Sequence, residues 1–149
     1  MKVSEGKIGR VFVIRLEDGD MIPECIDKFA DEKGIKVGHV TFFGGVDKGN
    51  IVVGPKKTEE LPPSKMIYSF NEAHEVVASG LIAPNCKGKS ILHIHGALGR
   101  GERTITGCLR EGVKTWLVGE VIIFEILDTD AKRLLDEKSG FELLNVCQE

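Results

Sequence analysis

Ile91-Leu92-His93-Ile94-His95-Gly96-Ala97-Leu98-Gly99-Arg100-Gly101-Glu102-Arg103-Thr104-Ile105-Thr106-Gly107-Cys108-Leu109-Arg110 reads as a β-hairpin, and the rest of the fold is inferred outward from it. The Gly99-Arg100-Gly101-Glu102 cluster supplies turn residues between two runs of alternating polarity. With Arg100 and Gly101 at the tip, Leu92 opposes Leu109, Ile94 opposes Gly107 and Gly96 opposes Ile105. That face is apolar or small throughout and belongs against a core.

Side chains alternate along a strand, so the opposite face carries His93, His95 and Ala97 across from Cys108, Thr106 and Thr104. Two imidazoles and a thiol then share one face, and a small cation held by N, N and S donors fits between them, zinc first among the candidates. A loop one residue longer would turn Cys108 away and bring Leu109 to the histidines, so the apolar pattern itself favours this parity. A second reading stays open: a His-x-His pair can simply line a polar face through hydrogen bonds, and Cys is often a small buried hydrophobe.

A chain of 149 residues has room for one domain with a sizeable core. Its composition, 42% hydrophobic and 29% charged, is that of a soluble globular protein, and no apolar run approaches the roughly 18 residues that a bilayer span needs. No membrane association is expected. The first residues contain no apolar signal-peptide core, so the expected location is cytoplasmic. Cys25, Cys86, Cys108 and Cys147 are widely spaced and form no Cys-x-x-Cys pair, which argues against a disulfide framework and a four-thiolate zinc knuckle. A net charge of −3 offers phosphate no global attraction. A local basic patch of Arg100, Arg103 and Arg110 is the only nucleic-acid feature to weigh, and solvated hairpin charges explain it as well.

Alternation over residues 7–16 predicts a first strand, ended by Glu17-Asp18-Gly19-Asp20. A helix is expected next, with an acidic N-cap near Asp20, Pro23 in its first turn, Ile22, Ile26, Phe29 and Ala30 as its buried stripe, and Gly34 as its stop. Residues 35–43 read as a second strand, closed by Gly44-Gly45 where a bulge or close backbone approach is permitted, and residues 50–53 as a short one. Strands are also expected over 65–70 and 75–83, with His74 and Glu75 at the start of the latter as exposed strand-end residues. His39 reads as an ordinary polar or packed histidine. Residues 116–126 form the strongest strand, apolar on both faces apart from Glu120 and Glu125, so it needs two covers. One is this chain's helices; the other is a second subunit. Asp128 and Thr129 look like caps of a second helix with Ala131, Leu134 and Leu135 inward and Gly140 as its stop, followed by a last strand over 141–147. The expected fold is α+β: one domain over residues 1–149, a mainly antiparallel sheet with two principal helices packed on it.

These residues resemble a known family, the plants-and-prokaryotes conserved (PPC) domain, formerly a domain of unknown function. The resemblance spans nearly the whole chain. It rests on Arg15-Leu16-Glu17-Asp18-Gly19-Asp20, Gly44-Gly45, Glu75-Val76-Val77 and Glu120-Val121-Ile122, and most heavily on His93-Ile94-His95 with Thr106-Gly107-Cys108-Leu109. It implies a small α+β domain that assembles as a homotrimer. Many members carry histidine at the position of Cys108, giving a three-histidine site; a thiolate there keeps zinc binding but lowers the Lewis acidity of the metal. The site is also similar to that of acetolactate decarboxylase, where a His-x-His strand and a third histidine hold zinc. Plant members add an AT-hook, a short basic arm for the DNA minor groove, and this sequence shows none. DNA binding is not expected without such an arm.

The expected function is thus a zinc-binding, trimer-forming domain, one Zn2+ per chain on His93, His95 and Cys108, with a regulatory or small-molecule-sensing role and a small anionic ligand at the metal. The alternative is a zinc-dependent lyase or hydrolase acting on a small carbonyl or carboxylate compound. There Arg15 would hold a carboxylate and Glu75 or Glu120 would act as acid or base. A DNA-binding regulator is the third reading.

Overall fold

The computed structural model describes residues 1–110 and 112–146. In chain order the elements are β1 (Lys7–Glu17), β2 (Met21–Ile22), α1 (Glu24–Lys33), β3 (Gly38–Pro55), β4 (Lys65–Phe70), β5 (His74–Pro84), β6 (Ser90–Arg100), β7 (Arg103–Leu109), β8 (Val113–Leu127), β9 (Lys132–Asp136) and β10 (Phe141–Asn145). All but β9 and β10 among the strands join one sheet in the order β1-β8-β3-β5-β6-β7, with β2 on β8 and β4 on β3; every pairing is antiparallel.

The expected strands over 35–43 and 50–53 are one long strand, β3. Its first half pairs with β5 and β8, and its second half with β4 and β7, through Ile51↔Leu109 and Val52↔Cys108. Strands β3, β5, β6 and β7 therefore close on themselves. The change of partners follows the Gly44-Gly45 pair: the register with β8 shifts there, and a Cβ on Gly44 (φ 146°) would lie 2.5 Å from the Val118 carbonyl oxygen. Only glycine admits that approach.

α1 packs against the sheet as its stripe predicts, with Ile22, Ile26 and Ala30 fully buried and Gly34 ending it. Its entry differs from expectation. Pro23 occupies the N-cap without a side-chain bond, while Asp20 accepts the Glu17 N–H at 2.8 Å and closes the preceding turn. Beneath α1 the inner face of the sheet forms the core around Phe42, Ile51, Ile94, Leu98, Val121 and Ile123. Glu125 falls on this inner face and is buried; Arg10 neutralises it with two charge-assisted bonds, Nε and Nη2 each 2.7 Å from the carboxylate.

The second principal helix does not exist. Residues 128–146 instead form the β9–β10 hairpin, pairing Asp136 with Phe141 and Lys132 with Asn145. The Asp-to-Gly segment that looks like a helix end is a hairpin turn: Asp136 accepts the Gly140 N–H through its carbonyl at 2.7 Å and the Ser139 N–H through its carboxylate at 2.8 Å, with Gly140 at φ 69°. Ala131 and Arg133 are buried two residues apart, the strand period, while Leu134 and Leu135 are both exposed and so make no buried helical stripe. Cys147 lies outside the described residues.

Among the described residues, the β9–β10 hairpin reaches only part of the outer sheet face, the one opposite α1, and the rest of that face is open. Val11 and Val13 of β1, Phe43 of β3, Val77 of β5 and Phe124 of β8 are exposed on it, Val13 at 83% and Val77 at 69%.

Candidate metal centre

The β6–β7 hairpin forms with the parity read from the sequence but with a different register. Its tip is Gly101-Glu102, Arg100 pairs with Arg103, and His95, not His93, stands opposite Cys108. A slip of two residues preserves every face assignment, so the histidines and the thiol remain on one side. Gly107 makes the closure possible, because a Cβ there would meet the Val52 carbonyl oxygen at 2.5 Å.

His93 and His95 cross at 85°, with 3.1 Å between their Nε2 atoms. The donor atoms of His93, His95 and Cys108 all lie within 4.8 Å of one another. Tetrahedral zinc, with nitrogen at about 2.05 Å and thiolate at about 2.3 Å, separates its donors by roughly 3.3–3.6 Å. The imidazole pair, at 3.1 Å, is a few tenths of an ångström short of that spacing, and small side-chain adjustments open it and bring in the sulfur. Desolvation, aided by Arg133, His95 and Arg110, pushes His93 down to about 4, so its ring is neutral and free to coordinate near pH 7. Burial raises the Cys108 thiol, against the pull of Arg110, Arg133 and Lys65. A bound dication reverses that balance, because coordination deprotonates the thiol.

The three donors sit in the wall of a cavity of about 580 Å³. Its apolar lining includes Val52, Pro63, Ile91, Phe141 and Leu143, and its polar lining Lys65, Arg110, Arg133 and Glu142. Arg133 and Phe141 come from the β9–β10 hairpin, so the misread helix hid one side of the site.

The other sequence candidates lie elsewhere. Arg15 and Glu120 are cross-strand partners on β1 and β8, and Arg15 also pairs with Glu17 at 3.4 Å. Glu120 is three strands from β6, about 14 Å across the sheet, and Arg15 a strand further. Glu75 opposes Gly99, four residues along β5 from Ser79, the partner of His95, or about 13 Å. The structure therefore brings together His93, His95 and Cys108, and separately Arg15 and Glu120. His74 is buried rather than exposed: its Nδ1 is 2.6 Å from the Glu72 carbonyl oxygen, and its ring packs on Phe70. His39 is the ordinary polar histidine expected, bonded to the Ser79 hydroxyl at 3.0 Å and stacked on Phe124.

The sequence profile of the Plants and Prokaryotes Conserved domain matches residues 3–127. The chain belongs to this family. Among solved structures, a metal-containing protein from Archaeoglobus fulgidus superposes with a TM-score of 0.84 at 27% identity, over 97% of this chain and 99% of the other. A PPC protein from Pyrococcus horikoshii gives 0.84 at 20% identity over the full length of both chains. A protein from Bacteroides thetaiotaomicron, whose name gives DNA binding as a provisional role, gives 0.75 at 19%, over 96% and 97%. At such identities the last two show a shared fold alone. No curated protein sequence matches the chain. The PPC match ends at residue 127, so the β9–β10 hairpin and Arg133 lie beyond it. No helix among the described residues is long and apolar enough to cross a membrane.

Proposed function

We propose that this PPC domain holds one zinc ion per chain on His93, His95 and Cys108, and that it works as a cytoplasmic, trimeric module that senses or carries a small anionic ligand at that metal. The observation that carries the reading is the convergence of two imidazole nitrogens and one thiol sulfur within 4.8 Å, in the wall of a cavity. Three protein donors beside open space leave a fourth position for water or an anion, as in sites that exchange ligands. The Archaeoglobus relative, described as metal-containing, supports metal over a metal-free polar face.

Trimer formation is supported by exposed apolar side chains on the outer sheet face, where Val11 stands beside Phe124, Phe43 beside Val77, and Val13 on the row between them, as at a subunit contact. The test of the metal assignment is elemental analysis of protein purified without added metal. Close to one zinc per chain in the parent, and its loss in a His93→Ala, Cys108→Ala double variant, is the expected outcome; full retention in that variant contradicts it.

The cavity favours one second reading, a zinc-dependent lyase or hydrolase acting on a small carbonyl or carboxylate compound, since an enzyme needs space of this kind next to an open metal position. Turnover of such compounds by zinc-loaded protein separates it from sensing. The DNA-binding label of the Bacteroides protein finds less support here, where net charge is −3 and the three cations at the cavity surround a site for something small.

A further inference from the structure

The β9–β10 hairpin carries Arg133 into the wall of the cavity, and Arg133 is an unusual group to find there. It is 95% buried, since only 5% of its surface is exposed. One terminal nitrogen, Nη2, donates to the Leu81 carbonyl oxygen at 2.9 Å, which anchors the side chain across β5. Its Nε is shut off from solvent and has no hydrogen-bond partner among the described residues. No carboxylate among those residues lies within ion-pair distance of it. Asp27, Glu142 and Cys108 are the acidic groups that act on it electrostatically; Asp27 spends one oxygen on the Leu92 N–H, and the Cys108 thiol is raised by burial. A desolvated guanidinium with an unfilled donor is costly unless something accepts from it.

The surroundings say what that acceptor is. Lys65 and Arg110 line the same cavity, so three cations face one acidic side chain, Glu142. The planar fork of arginine matches a carboxylate, two oxygens for two N–H groups. The remaining lining is apolar, and Lys65 lies 5.1 Å above the Phe141 ring, which ties β4 to β10 at that wall. A polyanion such as phosphate would leave those walls unmatched, whereas an acid with an apolar body fills both halves of the space.

We infer that Arg133 is the carboxylate-binding residue of this cavity and that its ligands are small organic acids with an apolar body, held by Arg133 with Arg110 and Lys65 close by the metal donors. The inference rests on the ligand-binding reading of the site given above. It adds that the selectivity is supplied by a hairpin lying beyond the PPC-matched segment, so chains with a different C-terminal segment would differ in ligand while keeping the metal donors.

The test is calorimetric titration of the full chain with 4-phenylbutanoate, its neutral amide and inorganic phosphate, on zinc-loaded protein and again on protein stripped by a chelator. In the stripped protein the acid should bind at least about tenfold more tightly than the amide or phosphate. Arg133→Gln should abolish that preference while leaving the affinity for the amide unchanged, and Arg133→Lys should restore part of it. An amide or phosphate that binds as well as the acid, or a preference that survives Arg133→Gln, overturns the inference. Should the variant fail to fold, the parent decides alone: the Arg133 Nε–H resonance in a nitrogen-15 spectrum shifts on addition of the acid and not of the amide, and a resonance unmoved by the acid is contrary. Because carboxylate preference is read without metal, its failure is distinguishable from a failure of the zinc assignment, which elemental analysis reports separately.

Discussion

His95 and Cys108 face each other across the β6–β7 ladder, and the second half of β3 lies against the far side of β7, pairing Val52 with Cys108. The thiol is therefore fixed by backbone pairing on both sides, and it reaches the histidines without any loop having to order. Such a site is held by strands, which position donors more rigidly than loops do.

Removing the thiol should consequently cost affinity more than it costs the fold. Cys108→Ser is expected to weaken zinc binding by more than about a hundredfold, beyond what loss of an outer hydrogen-bonding partner typically costs. Cys108→His should retain zinc. Competition against a chromophoric chelator measures both, and equal affinity in the serine variant and the parent would exclude the sulfur as a ligand.

Asp27 on α1 predicts a stability gain that depends on pH. Burial raises its carboxyl to about 6 against an ordinary value of 3.8, so between those values the folded chain keeps a proton that the unfolded chain has released. Stability is lost as pH rises through that window. Asp27→Asn removes the ionisation and leaves an oxygen to accept the Leu92 N–H, which Asp27 takes at 2.7 Å. With a discount for partial exposure, urea unfolding should show the variant more stable by about 1 kcal/mol at pH 7.5 and nearly equal at pH 4. A variant less stable at both would show that the carboxylate itself is needed.

The Arg10–Glu125 pair has the opposite sign. The Arg10 guanidinium holds the Glu125 carboxyl below its ordinary value, so its contribution is complete above the unfolded carboxylate range and is lost as pH falls through the depressed native value. Arg10→Met leaves Glu125 on the inner face without its partner. The melting temperature should fall clearly at pH 7, and the deficit should shrink as pH falls through the depressed native value of Glu125, below which its carboxyl is neutral in both proteins. A deficit independent of pH would assign the role of Arg10 to packing on Phe12, over whose ring it lies at 5.2 Å.

The outer sheet face makes a prediction about mass. Light scattering should give about three times the 16.3 kDa chain. Val13→Glu, a change at a side chain exposed in the single chain, should reduce the mass to that of one chain while leaving zinc content intact. A parent that is monomeric at micromolar concentration is incompatible with the assembly.

Much of this was legible in the residues because alternation sets a face. Leu92, Ile94 and Leu109 had to point inward, so His93, His95 and Cys108 had to share the other side. Register was less legible: Gly99 and Gly101 both suit a hairpin tip, and nothing local distinguishes Arg100-Gly101 from Gly101-Glu102 when both keep the same parity. Arg133 was hidden for another reason. Ala131, Leu134 and Leu135 imitate helical spacing, and the Asp, Thr and Gly residues that cap helices also close hairpin turns. The available signal was the near-symmetry of Lys132-Arg133-Leu134-Leu135-Asp136 and Phe141-Glu142-Leu143-Leu144-Asn145 about a short polar turn with glycine at its end. Arg15, Glu75 and Glu120 were plausible by residue type, and only the order of strands shows how far they stand from the histidines.

Cobalt substitution tests the metal centre most directly. Stripped protein loaded with one cobalt per chain should develop a thiolate-to-cobalt charge-transfer band in the near ultraviolet. The band should vanish in Cys108→Ser, and the visible spectrum of the parent should change on addition of small carboxylates that enter the open position. No such band in the parent, or an identical band in Cys108→Ser, would contradict a centre built on His93, His95 and Cys108.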